Sequence, residues 1–97
     1  MRVTDPEGVE TRALASIVDF TGKSVLEIGC GAGRLTWRYA GHAASVVALD
    51  PNIDDIRAAK KAIPARLRSR VTFRVGDVTT DPLPPSVYDM AILSYSL

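Results

Sequence analysis

The sequence predicts an α/β fold built on a parallel sheet, on three observations. Short apolar runs alternate with amphipathic stretches along the 97-residue chain, the order that crossover connections between parallel strands produce. Most of the strand-like runs are continuously apolar, as in a sheet meant to be covered on both faces. One of these runs passes directly into a glycine-rich turn and then into a helical stretch, a strand–loop–helix unit of the kind that builds ligand sites.

The elements follow in order. From Pro6 to about Asp19, Val9, Ala13, Leu14, Ile17 and Val18 recur at three- and four-residue steps and form one helical stripe. Asp5 is placed to cap it, with Pro6 at the first helical position. Thr21-Gly22-Lys23 breaks the chain, and Ser24 to Ile28 reads as a buried first strand. After Gly29-Cys30-Gly31-Ala32-Gly33 a helix is expected from Arg34 to about Gly41, with Leu35 and Tyr39 one turn apart.

Ser45 to Leu49 is a second strand that ends at Asp50-Pro51. An amphipathic helix follows from Ile53 to Ile63. Asn52 can cap it, Asp54 and Asp55 lie in its first turn, Lys60 and Lys61 lie in its last, and Pro64 stops it. Arg70 to Gly76 alternates Val71, Phe73 and Val75 with polar residues, a half-buried third strand with Asp77 at its end. Thr79 to Ser86 is a proline-rich loop. Tyr88 to Tyr95 carries Met90-Ala91-Ile92-Leu93 as a fourth strand.

Composition narrows the function classes. With 46% hydrophobic and 24% charged residues this is an ordinary globular composition for one small domain. The formal net charge of +1 gives no electrostatic reason to expect nucleic acid or a membrane surface as partner. No apolar stretch approaches the roughly 20 residues a membrane span needs, and the N-terminus has no signal-peptide character. The single cysteine, Cys30, has no internal disulfide partner, and no Cys/His cluster has metal-ligand spacing. A cytoplasmic location is the expectation.

The chemistry-bearing segment is Val25-Leu26-Glu27-Ile28-Gly29-Cys30-Gly31-Ala32-Gly33-Arg34. Glycines let backbone approach a ligand and supply positive φ, and the helix start behind them offers unpaired N–H groups to an anion. Dinucleotide enzymes place a third glycine where this chain has Arg34. That residue, together with Glu27 ahead of the first glycine, turns the reading away from NAD. Asp50 ends the second strand about 20 residues past the loop, where an acid can hold ribose hydroxyls. Asp77 ends the third strand, beside the same crevice. Asp50 alone also fits a helix-entry residue before Pro51, and Asp77 a turn aspartate; three acids at or near the carboxyl ends of successive strands mark one ligand-binding edge.

These motifs resemble the class I S-adenosylmethionine-dependent methyltransferases over nearly the whole chain. The glycine segment is similar to the family's first motif, Asp50 to the acid after its second strand, and Gly76-Asp77-Val78 to its adenine-contacting motif. Tyr88-Asp89-Met90-Ala91-Ile92-Leu93-Ser94 is similar to its fourth strand. The resemblance implies a Rossmann-like parallel sheet with four strands in the order 3-2-1-4, incomplete against the family's seven, and one cofactor-binding portion over residues 1–97. It implies S-adenosylmethionine as cofactor and S-adenosylhomocysteine as product.

Carried over residue by residue, Glu27 and the loop of Gly29, Cys30, Gly31 and Gly33 border the methionine moiety. Asp50 takes the ribose hydroxyls, and Asn52 and Ile53 line the adenine. Asp77 and the Val78 N–H address the adenine edge, and Ser94 faces the methionine part and the methyl group. Arg12 is a solvated arginine before it is a carboxylate partner, and the Cys30 side chain itself reads as packing. No catalytic base is identified. Ser94-Tyr95-Ser96-Leu97 differs from the Asn/Asp-Pro-Pro-Tyr/Phe of amino-methylating members, so a small-molecule methyl acceptor is the default by analogy.

The chain departs from the family by ending directly after the fourth strand. A fragment, a bare fourth-strand edge open to a dimer or partner chain, and a second sheet face lacking its helices are therefore expected. A non-catalytic cofactor-binding module needing a partner chain, and an NAD-dependent oxidoreductase domain, stay open as alternatives. His42 reads as a surface residue, Trp37, Tyr39 and Tyr88 as packing, and Arg66, Arg68 and Arg70 as a solvated basic turn.

Overall fold

A computed structural model describes residues 2–4, 19–81 and 88–94 of the chain. The expected helix over 6–19, with its cap Asp5 and Arg12, lies outside the described residues apart from Asp19, and so does the loop beyond Asp81 as far as residue 87. Five parallel strands form one sheet: β1 (Arg2–Thr4), β2 (Ser24–Ile28), β3 (Ser45–Asp50), β4 (Val71–Val75) and β5 (Met90–Leu93). Their order is β1-β5-β2-β3-β4. Numbered by the four strands read from sequence, the run β4-β3-β2-β5 is the expected 3-2-1-4, a Rossmann-like arrangement.

One expectation is corrected here. The fourth-strand edge is not bare, because Arg2, Val3 and Thr4 pair in parallel with Met90, Ala91 and Ile92. Three residues without apolar periodicity carry no strand signal in sequence; backbone hydrogen bonding to an open edge is what makes them a strand.

Period-two alternation assigns the side chains to faces. Val25, Val46, Ala48, Val71, Phe73, Met90 and Ile92 lie in the larger core, together with Tyr39, Ala40, Ile56, Ala59 and Leu67 from the segments that cross it. Leu26, Leu49 and Ala91 form a smaller cluster, with Ile28, Val47 and Tyr88 packed against it. All three of its central residues are buried, so the middle of the second face is covered, against expectation.

Helix α1 (Thr36–Tyr39) is only four residues long, not the helix expected from Arg34 to Gly41. Its preceding turn is irregular because Gly33 has φ 94°, a conformation outside the helical region. Helix α2 (Ile53–Ala62) forms as the sequence dictates. The Asn52 side chain accepts from the N–H groups of Asp54 and Asp55, and the paired charges sit at the ends the helix dipole favours. Ile63, held extended ahead of Pro64, closes it.

The strands start in register through a side chain. Asp89 Oδ2 accepts from the Ser24 N–H at 2.8 Å and from its hydroxyl at 3.1 Å. Arg70, expected as a solvated residue, instead donates from Nη1 to the carbonyls of Gly41 and Ala43, each at 3.0 Å. It thereby pins the connection between α1 and β3. Trp37 packs edge-on to Phe73 at 5.5 Å between ring centroids, and His42 is exposed, both as expected.

Gly33 has no room for a side chain. A Cβ there would lie 2.6 Å from Trp37 Cζ2, on a backbone at φ 94°. Gly33→Ala is expected to destabilise the chain by about 2–4 kcal/mol, the left-handed penalty plus overpacking. Urea unfolding of the two proteins measures it.

Candidate functional site

Three parallel strands ending together create the site. Beyond the carboxyl ends of β2, β3 and β4 lies a cleft of about 330 Å³. Ile28 and Gly29 line it from β2, Leu49, Asp50 and Pro51 from β3, and Gly76, Asp77, Val78 and Thr79 from the segment after β4. Its walls are thus mainly apolar, with two carboxylates placed on them, the usual make-up of a small-molecule pocket.

The glycine loop is tied to the strand beside it. Gly29 and Cys30 both donate their N–H groups to the Leu49 carbonyl, at 2.8 and 3.0 Å. Gly31 N–H donates to Asp50 Oδ2 at 2.9 Å, and Asn52 N–H donates to Asp50 Oδ1 at 2.9 Å. Each Asp50 oxygen therefore holds one backbone bond and keeps acceptor capacity to spare, since a carboxylate offers about four lone-pair sites. The backbone fixes the plane of this nearly buried carboxylate before any ligand arrives.

Asp77 closes the far side. Its Oδ1 accepts from the Thr79 N–H at 2.9 Å and the Thr79 hydroxyl at 2.6 Å. The Thr79 hydroxyl, and then its N–H, hold the carboxyl below its ordinary range. Asp81 Oδ2 in turn accepts from the Asp77 N–H at 2.8 Å, which ties the turn behind Asp77.

Glu27 lies beneath the cleft and is fully buried. Its Oε1 accepts from the Thr36 hydroxyl and the Tyr39 hydroxyl, both at 2.6 Å, and Oε2 is 2.7 Å from the Ser94 hydroxyl. Burial pushes its carboxyl up, the three hydroxyls oppose this, and the negative charge of Asp50 adds to the rise. Burial and the adjacent Glu27 push the Tyr39 phenol up as well.

A methyltransferase-domain family model matches residues 25–97, a span that contains every residue of this cleft. The chain belongs to the class I S-adenosylmethionine-dependent methyltransferase family. A magnesium-protoporphyrin O-methyltransferase of Rhodobacter capsulatus is 39% identical over 74 residues, covering 76% of this chain and 33% of that protein. Among solved structures, an S-adenosylmethionine-dependent methyltransferase from Mesorhizobium loti superposes with a TM-score of 0.67 at 26% identity. It covers 82% of this chain and 37% of that one. A glycopeptide N-methyltransferase solved with sinefungin gives 0.70 at 27% identity, covering 93% of this chain and 40% of that one. The chain spans about a third of the curated relative.

Against the residues expected from this methyltransferase resemblance, the structure sorts the side chains into three groups. Gly29, Asp50, Asp77 and Val78 line the cleft. Asn52 and Ile53 stand at the start of α2, beyond Asp50 and Pro51, where Asn52 spends its side chain on capping and Ile53 is 49% exposed. Glu27, Cys30, Gly31 and Gly33 are buried and Ser94 is half-buried. Cys30 packs in the core, and burial pushes its thiol up with Glu27 and Asp50 adding to the shift.

Two sequence inferences about this methyltransferase change. The loop does not lead into a helix N-terminus that could hold an anion, since α1 starts only at Thr36 and is one turn long. Thr36 and Tyr39 were not foreseen as partners of Glu27. The signal was available: an acid in an apolar strand must find donors, and a hydroxyl pair one turn long follows it. Among the described residues no helix is long and apolar enough to cross a membrane, and no group of acids, histidines or cysteines could hold a metal ion.

The raised Glu27 carboxyl fixes a sign for the pH dependence of stability. A group whose folded value exceeds its unfolded value, ordinarily 4.5 here, contributes in full below that value. The contribution is lost as pH climbs through the folded value. Glu27→Gln is expected to flatten this part of the stability–pH profile, with thermal unfolding at successive pH values as the measurement. Tyr39→Phe, which leaves Oε1 with one donor fewer, is expected to cost about 1–2 kcal/mol in urea unfolding.

Proposed function

We propose that the cleft holds the adenosine of S-adenosylmethionine and that the protein to which this chain belongs transfers its methyl group to a small-molecule acceptor. The observation that carries this reading is the pair of carboxylates, Asp50 and Asp77, facing one apolar cleft at the carboxyl edge of a parallel sheet. Asp50 takes the two ribose hydroxyls with its spare lone pairs. Asp77 accepts from the adenine amino group through Oδ2, since Oδ1 is committed to Thr79. The Val78 N–H, which has no partner among the described residues, donates to a ring nitrogen.

The fit of the cofactor is supported from the apolar side too. Val78 in the cleft lining and Ile53 at the start of α2 are exposed large apolar residues, 40% and 49% accessible, and a purine covering them would bury surface that otherwise faces water. Gly29 and the carbonyl edge of its loop border the methionine moiety, with Glu27, Cys30, Gly31 and Gly33 supporting them from behind and Ser94 at the junction with β5. Asn52 contributes by holding the start of α2, and thus Ile53, in place. When bound, the cofactor supplies an electrophilic methyl group. The chain's own part is to hold the adenosine so that the methyl lies in line with an acceptor and to keep water from that end of the cleft.

The test is calorimetric titration of the chain with S-adenosylhomocysteine and, separately, with NAD. Binding of the first and not the second is expected. Asp50→Ala is expected to weaken that binding by about 1–3 kcal/mol, roughly 5- to 150-fold. An unchanged affinity in the variant removes Asp50 from the site, and preferential binding of NAD overturns the reading.

A further inference from the structure

We propose that Glu27 is held as the neutral carboxylic acid, with its Oε2 proton donated to the Ser94 hydroxyl, and that this turns Ser94 onto the Gly29 carbonyl and fixes one wall of the cleft. The inference comes from counting protons. A hydroxyl brings one proton and two lone pairs. The Ser94 oxygen lies 2.7 Å from Glu27 Oε2, 3.0 Å from the Gly29 carbonyl and 3.3 Å from the Ile28 carbonyl. With Glu27 ionised, all three are acceptors competing for one proton.

The competition resolves in one direction. The Ile28 carbonyl already receives the Ser94 N–H at 2.9 Å, whereas the Gly29 carbonyl receives no other donor among the described residues. Spending the Ser94 proton on Glu27 would leave Gly29 short, and sharing it would weaken both bonds. A proton on Oε2 completes every bond at once. Oε2–H donates to Ser94 and Ser94 donates to Gly29. Oε1, as the carbonyl oxygen, receives Thr36 and Tyr39 on its two lone pairs.

The surroundings favour the same state. The groups facing this carboxyl are Thr36 and Tyr39 from α1, Cys30 from the loop, Asp50 from β3 and Ser94 from β5. Among the described residues Asp50 is the charged one acting on it, and it is an anion. A fully buried carboxylate without a cation is costly, and accepting a proton is the usual way out. Glu27 is a positioning residue: it reaches the cleft through Ser94 and the Gly29 backbone.

The test needs no ligand. The chain contains three glutamates, Glu7, Glu10 and Glu27, so side-chain carboxyl carbon-13 resonances can be followed individually by NMR as pH is changed. Two are expected to titrate near the ordinary value of about 4.3, and Glu27 is expected to keep its protonated shift at pH 7. Titration of all three in the ordinary range overturns the proposal. As a second reading, Glu27→Gln supplies an amide donor to Ser94 and a carbonyl to Thr36 and Tyr39. It is expected to unfold within about 2 °C of the parent at pH 7; a drop of 8 °C or more also overturns it.

Discussion

One buried carboxyl group holds the functional end of this sheet together. Glu27 sits on β2 with no solvent exposure, and its two oxygens reach α1 through Thr36 and Tyr39 and the end of β5 through Ser94. Helix α1 is too short to be stable by propensity. What anchors it is Tyr39, whose hydroxyl bonds Glu27 and whose ring stacks on Phe20 at 4.5 Å between centroids. Remove the acid and three elements lose their common point of attachment, with two buried hydroxyls left unpaired.

The second constraint is Asp50, which does for the loop what Glu27 does for the helix. The loop needs φ of 83°, 56° and 94° at Gly29, Gly31 and Gly33, conformations that cost other residues energy. Three of its backbone donors go to the end of β3, two to the Leu49 carbonyl and one to Asp50, and the Gly33 N–H closes the loop on the Cys30 carbonyl. The Gly76 N–H adds a bond to the Asp50 carbonyl at 3.1 Å. The cleft is therefore bounded by backbone that is locked to backbone, and its carboxylates are set in place without side-chain searching. That is preorganisation in the physical sense, because the ordering entropy is spent in folding and not in binding.

How much of this was legible follows from what each residue's signal depends on. Strand and helix positions came through because they depend on local periodicity and caps: Ser24–Ile28 and the Asn52 cap with α2 are found where the pattern puts them. Asp50 and Asp77 line one cleft, at strand ends, which are positions a sequence can mark. The burial of Glu27 is not legible in sequence, since the depth of a residue below a sheet edge depends on which elements fold over it. Tyr39 was read as packing alone, because hydroxyl and ring send the same apolar signal in a helix. The α1 boundary failed because Gly33 interrupts the helix from outside its own stripe, and β1 failed because an edge pairing is a tertiary event with no periodic trace.

Parity puts the acids on one face, and their position along it divides them. Along a strand alternate side chains share a face, so Glu27 shares a face with Val25, Asp50 with Val46 and Ala48, and Ser94 with Met90 and Ile92. Those apolar residues all belong to the larger core, the one the crossing segments cover. An acid in the middle of that face is sealed by the helices, while one at the last strand residue is bounded by a loop on one side only. Glu27 is one residue from the end of β2 and is inaccessible; Asp50 is the last residue of β3 and lines the cleft. Glu27 is in register with Ala48, two positions short of Asp50, so a step of two along the strand keeps the face and separates an acid that organises the structure from one that can meet a ligand.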